Sequence, residues 1–104
     1  MAQPRFSLRA EADLLEIGVY TLRTWGEEQA FRYIEALEAF CQMLADSPSL
    51  GRSCHDVRRG LRRMESGRHV VFYREEATGI LVSRILHRRM LPERHAMDDD
   101  DEGS

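Results

Sequence analysis

Two helical stretches in the first half of the chain are separated by only two residues, Trp25 and Gly26. The first stretch, residues 9–24, carries acids in its first turn, where the positive end of the helix dipole favours them. Glycine ends a helix without strain, and two acids then begin the second stretch, residues 27–46. Because a connection this short leaves no room for a crossover, the two helices are expected to form an antiparallel hairpin.

The two predicted helices differ in the number of apolar faces that they carry. The second helix has one broad apolar stripe with polar residues opposite, which is typical of a helix packed on one side. The first helix has two neighbouring stripes. The first stripe is Ala10, Leu14, Ile17 and Thr21, and the second is Leu15, Val19 and Leu22. Two interpretations stay open, because the second stripe either widens the core or is exposed and contacts a partner.

The second half of the chain has the alternation and the turn residues of β-strands. Segments at 60–65, 68–75 and 79–87 are separated by short turns and predict an antiparallel β-meander. The middle segment is apolar on both faces and is therefore expected to be central. In the last segment the alternation places Ile80, Val82 and Leu86 opposite Leu81, Ser83 and Ile85.

A short N-terminal strand at residues 4–8 is expected at a sheet edge, where its proline is tolerated. Residues 50–59 have no period and are expected to be a connecting loop. Together these elements predict an α+β fold in which an N-terminal strand is followed by a helical hairpin packed on an antiparallel β-meander.

The chain length of 104 residues is enough for one domain, which we place at residues 1–96. Residues 97–104 contain five acids and are expected to form a disordered acidic tail. No apolar run approaches the roughly 18 residues of a membrane span, so a cytoplasmic location without membrane contact is expected. Cys41 and Cys54 have neither metal-ligand spacing nor a disulfide framework, so free thiols and no metal or cofactor are expected.

Charge is unevenly distributed along the chain. Residues 1–51 carry four Arg against eight acids, and residues 52–94 carry eleven Arg against five acids. Arginine presents a planar fork of donors that suits carboxylates and phosphates. If the sheet clusters the arginines of the second block, they form a face that binds phosphate or an acidic partner. The alternative is an ordinary solvated sheet surface.

Four histidines are the candidates for acid–base chemistry, because only histidine changes charge near neutral pH without perturbation. They are His55, His69, His87 and His95, and their spacing matches no zinc site. His87 is the strongest candidate of the four because it comes at the end of the last predicted strand, next to two arginines.

Five segments of the chain, taken in order, carry a family resemblance. They are AEADLLEI at 10–17, WGEEQAFRYIEAL at 25–37, PSLGR at 48–52, LRRMESGRHVVFYR at 61–74 and ILHRRMLPERH at 85–95. Together they resemble the ParE branch of the RelE/ParE toxin superfamily, found in bacterial type II toxin–antitoxin systems. The resemblance implies a toxin that inhibits DNA gyrase and replication by binding rather than catalysis, and that is neutralised by a ParD-type antitoxin.

The resemblance also implies candidate contact residues. Antitoxin contacts are expected at Leu15, Val19, Leu22 and Phe31 on the hairpin and at Arg58 and Arg62. Contacts to the target are expected at His87, Arg88, Arg89 and Arg94. Direct contact with nucleic acid stays open, since arginine forks suit both gyrase carboxylates and DNA phosphates.

The alternative that the resemblance leaves is a RelE-like, ribosome-dependent mRNA endonuclease. In that case Arg89, His87 and His95 would be the catalytic residues. The nuclease branch, however, keeps a strand arginine that aligns here with Val70, and the loop before the meander has no lysine. Because a phosphate-stabilising cation is then missing from the middle of the site, the gyrase interpretation is preferred.

Overall fold

The computed structural model describes residues 2–89, which form two helices packed on one face of a five-stranded sheet. In chain order the elements are β1 (Gln3–Phe6), α1 (Leu8–Trp25), α2 (Glu27–Asp46), a 3-10 turn (Pro48–Leu50), β2 (Arg52–Ser53), β3 (Arg62–Ser66), β4 (His69–Glu76) and β5 (Gly79–His87). The predicted α+β fold is confirmed. Arg94, His95, the domain boundary at residue 96 and the acidic tail lie outside the described residues.

The helical hairpin is built as the sequence predicts. Gly26 joins the helices with a φ of 97°, a backbone conformation that favours glycine. Ser7 caps α1, since its Oγ accepts a hydrogen bond from the backbone N–H of Ala10 at 3.0 Å. The same hydroxyl donates to the carbonyl of Ser83 at 2.8 Å and so ties the helix start to the sheet. Because the cap is Ser7, Leu8 begins the helix and is exposed, whereas the sequence predicts it in the strand.

The sheet has the strand order β1-β5-β4-β3-β2. Strands β3, β4 and β5 form the predicted antiparallel meander, and β1 adds to its edge parallel to β5. Strand β2 pairs with β3 within the stretch predicted as a loop. Its two residues are too few to produce an alternating pattern in the sequence.

Buried apolar side chains form a main core between the helices and the sheet and a smaller cluster elsewhere on the sheet. Strand β4 supplies both, with Val71 and Tyr73 in the main core and Val70 and Phe72 in the smaller cluster. Its predicted central position is confirmed. The smaller cluster also contains Cys54 and Leu61 from the loop before β3 and Leu86 from β5.

A β-bulge changes the alternation of β5. The register shifts between Phe72 and Tyr73, which leaves Ser83 without a pairing partner on β4. Beyond Ser83 the two faces exchange, so Ile85 lies in the main core and Leu86 in the smaller cluster. The sequence predicts the reverse for both residues, and this prediction is wrong because one extra residue inverts a period of two.

Tyr73 anchors the loop that follows α2. Its Oη donates a hydrogen bond to the carbonyl of Pro48 at 2.6 Å and accepts one from the N–H of Gly51 at 2.8 Å. Arg62 donates to the carbonyl of Gly51 at 2.6 Å. The segment PSLGR is therefore fixed by internal contacts, and Arg62, a predicted antitoxin contact, has a structural role in the isolated chain.

Candidate functional site

A groove of about 650 Å³ lies where the hairpin meets the ends of β4 and β5. This volume lies in the range of ligand-binding clefts. One wall comes from α1, the other from the start of α2, and the strand ends form the floor. The aromatic and basic residues that line the groove are Tyr20, Trp25, Tyr33, Arg68, His69, Arg84 and His87.

Tyr33 of α2 fixes the imidazole of His69. The Tyr33 Oη lies 2.7 Å from His69 Nδ1 and accepts a hydrogen bond from the backbone N–H of Arg68 at 3.2 Å. The Tyr33 oxygen can accept from both N–H groups or donate its own proton to Nδ1, so the hydrogen bond holds the imidazole in either tautomer. Burial, followed by the neighbouring His87 and Arg68, lowers the pKa of His69. The neutral form of His69 is therefore favoured.

His87 lies beside His69 at the end of β5. The two rings meet edge to face with centroids 5.5 Å apart. His87 Nδ1 accepts a hydrogen bond from the backbone N–H of Arg89 at 3.2 Å. The Nδ1 atoms of both histidines are therefore engaged in contacts within the chain.

Arg68 connects the groove with the end of the described chain. Its guanidinium lies 5.8 Å from the centroid of the Trp25 ring, and its carbonyl accepts a hydrogen bond from the N–H of Arg88 at 2.9 Å. Within residues 2–89, the side chains of Arg68, Arg88 and Arg89 make no ion pair with an acid. The predicted target contacts His87, Arg88 and Arg89 are thus brought together with Arg68 at one end of the sheet.

Other arginines of the basic block are placed elsewhere. Arg84 is paired with Asp13 of α1, and Arg52 lies 3.3 Å from the carboxylate of Glu65. Arg58, a predicted antitoxin contact, is half-buried in the loop before β3. As far as residue 89, the basic block is therefore divided among internal ion pairs, a loop and the sheet end, and it does not form the single anion-binding face that clustering by the sheet would produce.

The second stripe of α1 is exposed. Leu15 is 69% exposed, Leu22 47% and Val19 38%, and Phe31 of α2 is 66% exposed. The interpretation that these side chains widen the core is therefore wrong, since the first stripe and α2 already fill the space above the sheet. Their contact with an antitoxin stays a prediction.

Sequence reasoning missed the groove itself. In the sequence, Tyr33 belongs to the apolar stripe of the second helix, Trp25 to the hairpin connection and Arg68 to the basic block. One sequence feature points to the groove, because the single tryptophan of the chain lies at the hairpin connection. The guanidinium that lies over its ring belongs to Arg68, 43 residues further on, so no local pattern reveals the pair.

Neither a membrane span nor a metal site is found in the part of the chain that the structure describes. No helix within residues 2–89 is long and apolar enough to cross a bilayer. The same residues bring no three His, Cys, Asp or Glu side chains together in a way that could hold a metal ion.

This architecture matches that of a solved structure described as the chromosomal ParDE TA system from P. aeruginosa. The TM-score is 0.69 at 20% sequence identity, and the match covers 84% of this chain and 96% of that chain. The two chains therefore share a fold of two helices on a mixed sheet.

Sequence comparisons give the family. The family model for the ParE toxin of the type II toxin-antitoxin system, parDE, matches residues 5–92. Toxin ParE1 of Caulobacter vibrioides is 42% identical over 91 residues, which are 88% of this chain and 94% of the relative. Toxin ParE1 of Mycobacterium tuberculosis is 39% identical over 82 residues, 78% of this chain and 84% of the relative. The chain therefore belongs to the ParE toxin family of type II toxin–antitoxin systems.

Proposed function

We propose that this toxin inhibits DNA gyrase by binding rather than by catalysis, and that a ParD-type antitoxin neutralises it. Membership of the ParE toxin family supports the toxin role. The observation that carries the non-enzymatic part is the bonding of the two groove histidines. The Nδ1 atoms of His69 and His87 are both engaged in internal hydrogen bonds, so neither ring offers Nδ1 to a substrate.

The environment of Val70 gives further support. An mRNA endonuclease has to activate a ribose hydroxyl and stabilise the charge on a phosphate. Val70, which aligns with the strand arginine of the nuclease branch, is 7% exposed and packs in the smaller cluster with Phe72 and Leu86. A buried valine supplies no charge to a phosphate at this point.

A RelE-like mRNA endonuclease is the second candidate, and the sheet end favours it. His87 lies beside His69, Arg68 directly precedes His69, and Arg88 and Arg89 directly follow His87. Positive side chains next to imidazoles are the groups that cleavage of RNA requires. For this candidate Arg89, His87 and His95 are the residues to test.

One experiment in two parts separates the candidates. Purified full-length toxin is incubated with gyrase and supercoiled plasmid, and the formation of linear DNA and the loss of supercoiling are measured. In parallel, the 5′ ends of cellular mRNA are mapped after induction. Gyrase poisoning predicts broken DNA, filamentation and the DNA-damage response without new mRNA ends. Ribosome-dependent cuts that disappear in Arg89→Ala and His87→Ala would contradict the proposal.

The proposed antitoxin partner is tested by stability. Exposed apolar side chains on the hairpin lose contact with water when a partner covers them, and a ligand that binds only the folded state raises its stability. We expect the co-purified toxin–antitoxin complex to unfold at a higher temperature than the toxin alone. An unchanged midpoint at saturating antitoxin would contradict this part of the proposal.

Because gyrase is cytoplasmic, the toxin is expected to act in the cytoplasm.

A further inference from the structure

The α1 wall of the groove is aromatic. Tyr20 and Trp25 line it, and they are 62% and 57% exposed. The third tyrosine or tryptophan of the lining, Tyr33, is half-buried and has its hydroxyl engaged with His69 and the backbone of Arg68. An exposed aromatic face is a platform on which a planar ring stacks, and a nucleobase is such a ring. The α1 wall therefore suits a flat aromatic group.

The floor of the groove ends in a cluster of positive side chains. Arg68 directly precedes β4, Arg88 and Arg89 directly follow β5, and all three are exposed. The hydrogen bond of 2.9 Å from the N–H of Arg88 to the carbonyl of Arg68 holds the two strand ends together. Within residues 2–89 none of these three side chains makes an ion pair with an acid. Guanidinium forks bind phosphate oxygens in pairs, so this end suits a phosphate ester.

Arg68 connects the aromatic wall with the positive cluster. Its guanidinium carbon lies 5.8 Å from the centroid of the Trp25 ring. A guanidinium above a ring keeps N–H groups at its edge, where they can donate to an oxyanion. A nucleotide joins a planar base to a phosphate through a single sugar, so one ligand can meet both groups. We propose that the groove binds a nucleoside phosphate, whose base packs against Trp25 and whose phosphate binds Arg68.

Polar side chains of the lining suit the edge of a base. Glu16 and Gln29 line the groove and are exposed. A carboxylate accepts hydrogen bonds, and an amide both donates and accepts them. Guanine offers an amino group and a ring N–H to a carboxylate and a carbonyl to an amide, which makes a guanine nucleotide the suitable probe. Asp13, the other acid of the lining, is already paired with Arg84.

The aromatic wall distinguishes a nucleotide from a simple anion or an acidic peptide. Carboxylates would pair with the arginines and leave Tyr20 and Trp25 in water. A base with its phosphate is the same chemical group in a free nucleotide and in one nucleotide of a single strand. The experiment therefore includes both sources.

The single tryptophan of the chain reports on the proposed site, because a base that stacks on Trp25 quenches its fluorescence. Full-length toxin is titrated with dGMP, with deoxyguanosine and with inorganic phosphate, and calorimetry measures the same affinities independently. We expect dGMP to bind at least about tenfold more tightly than deoxyguanosine or phosphate, because each of these keeps only one of the two contacts.

A short single-stranded oligonucleotide separates the two sources. Tighter binding than dGMP that is weakened in Trp25→Ala assigns the site to a nucleic acid strand. Binding weaker than that of dGMP assigns it to the free nucleotide.

Variants of the chain provide the controls, with affinities measured by calorimetry. Trp25→Ala and Arg68→Ala should each weaken dGMP binding at least about tenfold, whereas Trp25→Phe keeps an aromatic face and should retain most of the affinity. Phe31→Ala and Arg59→Ala remove an exposed ring and an exposed guanidinium outside the groove lining and should leave the affinity unchanged.

Three outcomes would overturn the inference. They are failure of dGMP to bind at about 10 mM, binding of dGMP no tighter than that of phosphate, and equal losses in Trp25→Ala and Phe31→Ala. The inference does not depend on the proposed function, because it is measured by binding alone. Gyrase inhibition without dGMP binding rejects the nucleotide site, and dGMP binding without gyrase inhibition rejects only the proposed target.

Discussion

The carboxylate of Asp13 accepts two hydrogen bonds from the guanidinium of Arg84, at 2.9 and 3.0 Å, and a third from the backbone N–H of Ile85 at 2.9 Å. Strand β1 pairs with β5 only as far as Phe6 opposite Val82. Beyond that point the carboxylate satisfies an amide of β5 that has no strand neighbour on this side. A side chain of α1 thus completes the edge of the sheet next to the bulge and forms one wall of the groove.

We expect Asp13→Ala to lower the free energy of unfolding by about 3 kcal/mol, because it leaves a largely buried guanidinium without its carboxylate. Urea denaturation measures the change. The control is Glu28→Ala, which removes an exposed ion pair with Arg32 and should cost less than about 0.5 kcal/mol. Equal effects of the two substitutions would show that Asp13 does not hold α1 to the sheet.

Gly51 is expected to tolerate no side chain. A Cβ at this position would overlap the Tyr73 Oη and lie 2.9 Å from the carbonyl oxygen of Arg63. We predict that Gly51→Ala costs about 2 kcal/mol through overpacking, measured by urea denaturation. In a Tyr73→Phe background the cost of Gly51→Ala should be smaller, because the overlapping hydroxyl is gone.

The control for this prediction is Gly18→Ala. A Cβ at Gly18 would lie 3.7 Å from the side chain of Ile34, an ordinary contact, and alanine is the better helix former. Gly18→Ala should therefore be neutral or stabilising. If Gly51→Ala has no larger effect than Gly18→Ala, the anchoring of the loop by Tyr73 is wrong.

Local patterns explain which parts of the fold the sequence predicts. The hairpin depends on a two-residue connection at Trp25 and Gly26, and the meander on alternation and short turns, so both are visible within a few neighbouring residues. The parallel pairing of β1 with β5 joins residues about 76 positions apart, such as Gln3 and Gly79, and has no local signal. The bulge at Ser83 is likewise absent from the alternation that it interrupts.

In the candidate site, too, the sequence predicts what is local in the chain and does not predict contacts between distant residues. His87, Arg88 and Arg89 are consecutive in the sequence, so their placement together at the end of β5 follows from the predicted strand. Tyr33 and His69 were not connected, since their hydrogen bond joins residues 36 apart on a helix and a strand. The sequence does not predict whether Leu15 is exposed. A helical period shows that α1 has a second apolar stripe, but it does not show what covers that stripe.

His69 predicts a pH dependence of stability. Burial lowers the pKa of His69 in the folded chain below its ordinary value of about 6.5, so the unfolded chain binds more protons in the interval between the two pKa values. The contribution of His69 to stability is complete above pH 6.5 and is lost as the pH falls through this interval. The slope from this one group cannot exceed about 1.4 kcal/mol per pH unit.

Urea denaturation between pH 5 and 8 measures this dependence. His69→Gln should flatten the slope below pH 6.5, whereas His55→Gln, at an exposed loop position, should leave it unchanged. A slope that persists in His69→Gln would assign the pH dependence to another group.

The last prediction is that toxicity depends on the arginines that follow β5. Arg88 and Arg89 are exposed at the end of the sheet, beside Arg68 and His87, so they can contact a large partner without disturbing the core. Combined replacement of Arg88, Arg89 and Arg94 by Ala should relieve growth arrest. Antitoxin binding should survive within about tenfold, or about 1.4 kcal/mol, because the predicted antitoxin contacts on the hairpin lie on the helices.

A matched triple variant, Arg32→Ala, Arg52→Ala and Arg59→Ala, removes the same charge from exposed positions elsewhere and should stay toxic. Growth after induction and the affinity for co-purified antitoxin are measured for both variants. If the variant of the sheet end is as toxic as the parent, the target contacts another surface. If it also loses the antitoxin, the two partners share this end of the sheet, since the replaced arginines at 88 and 89 lie outside the core and their removal leaves its packing intact.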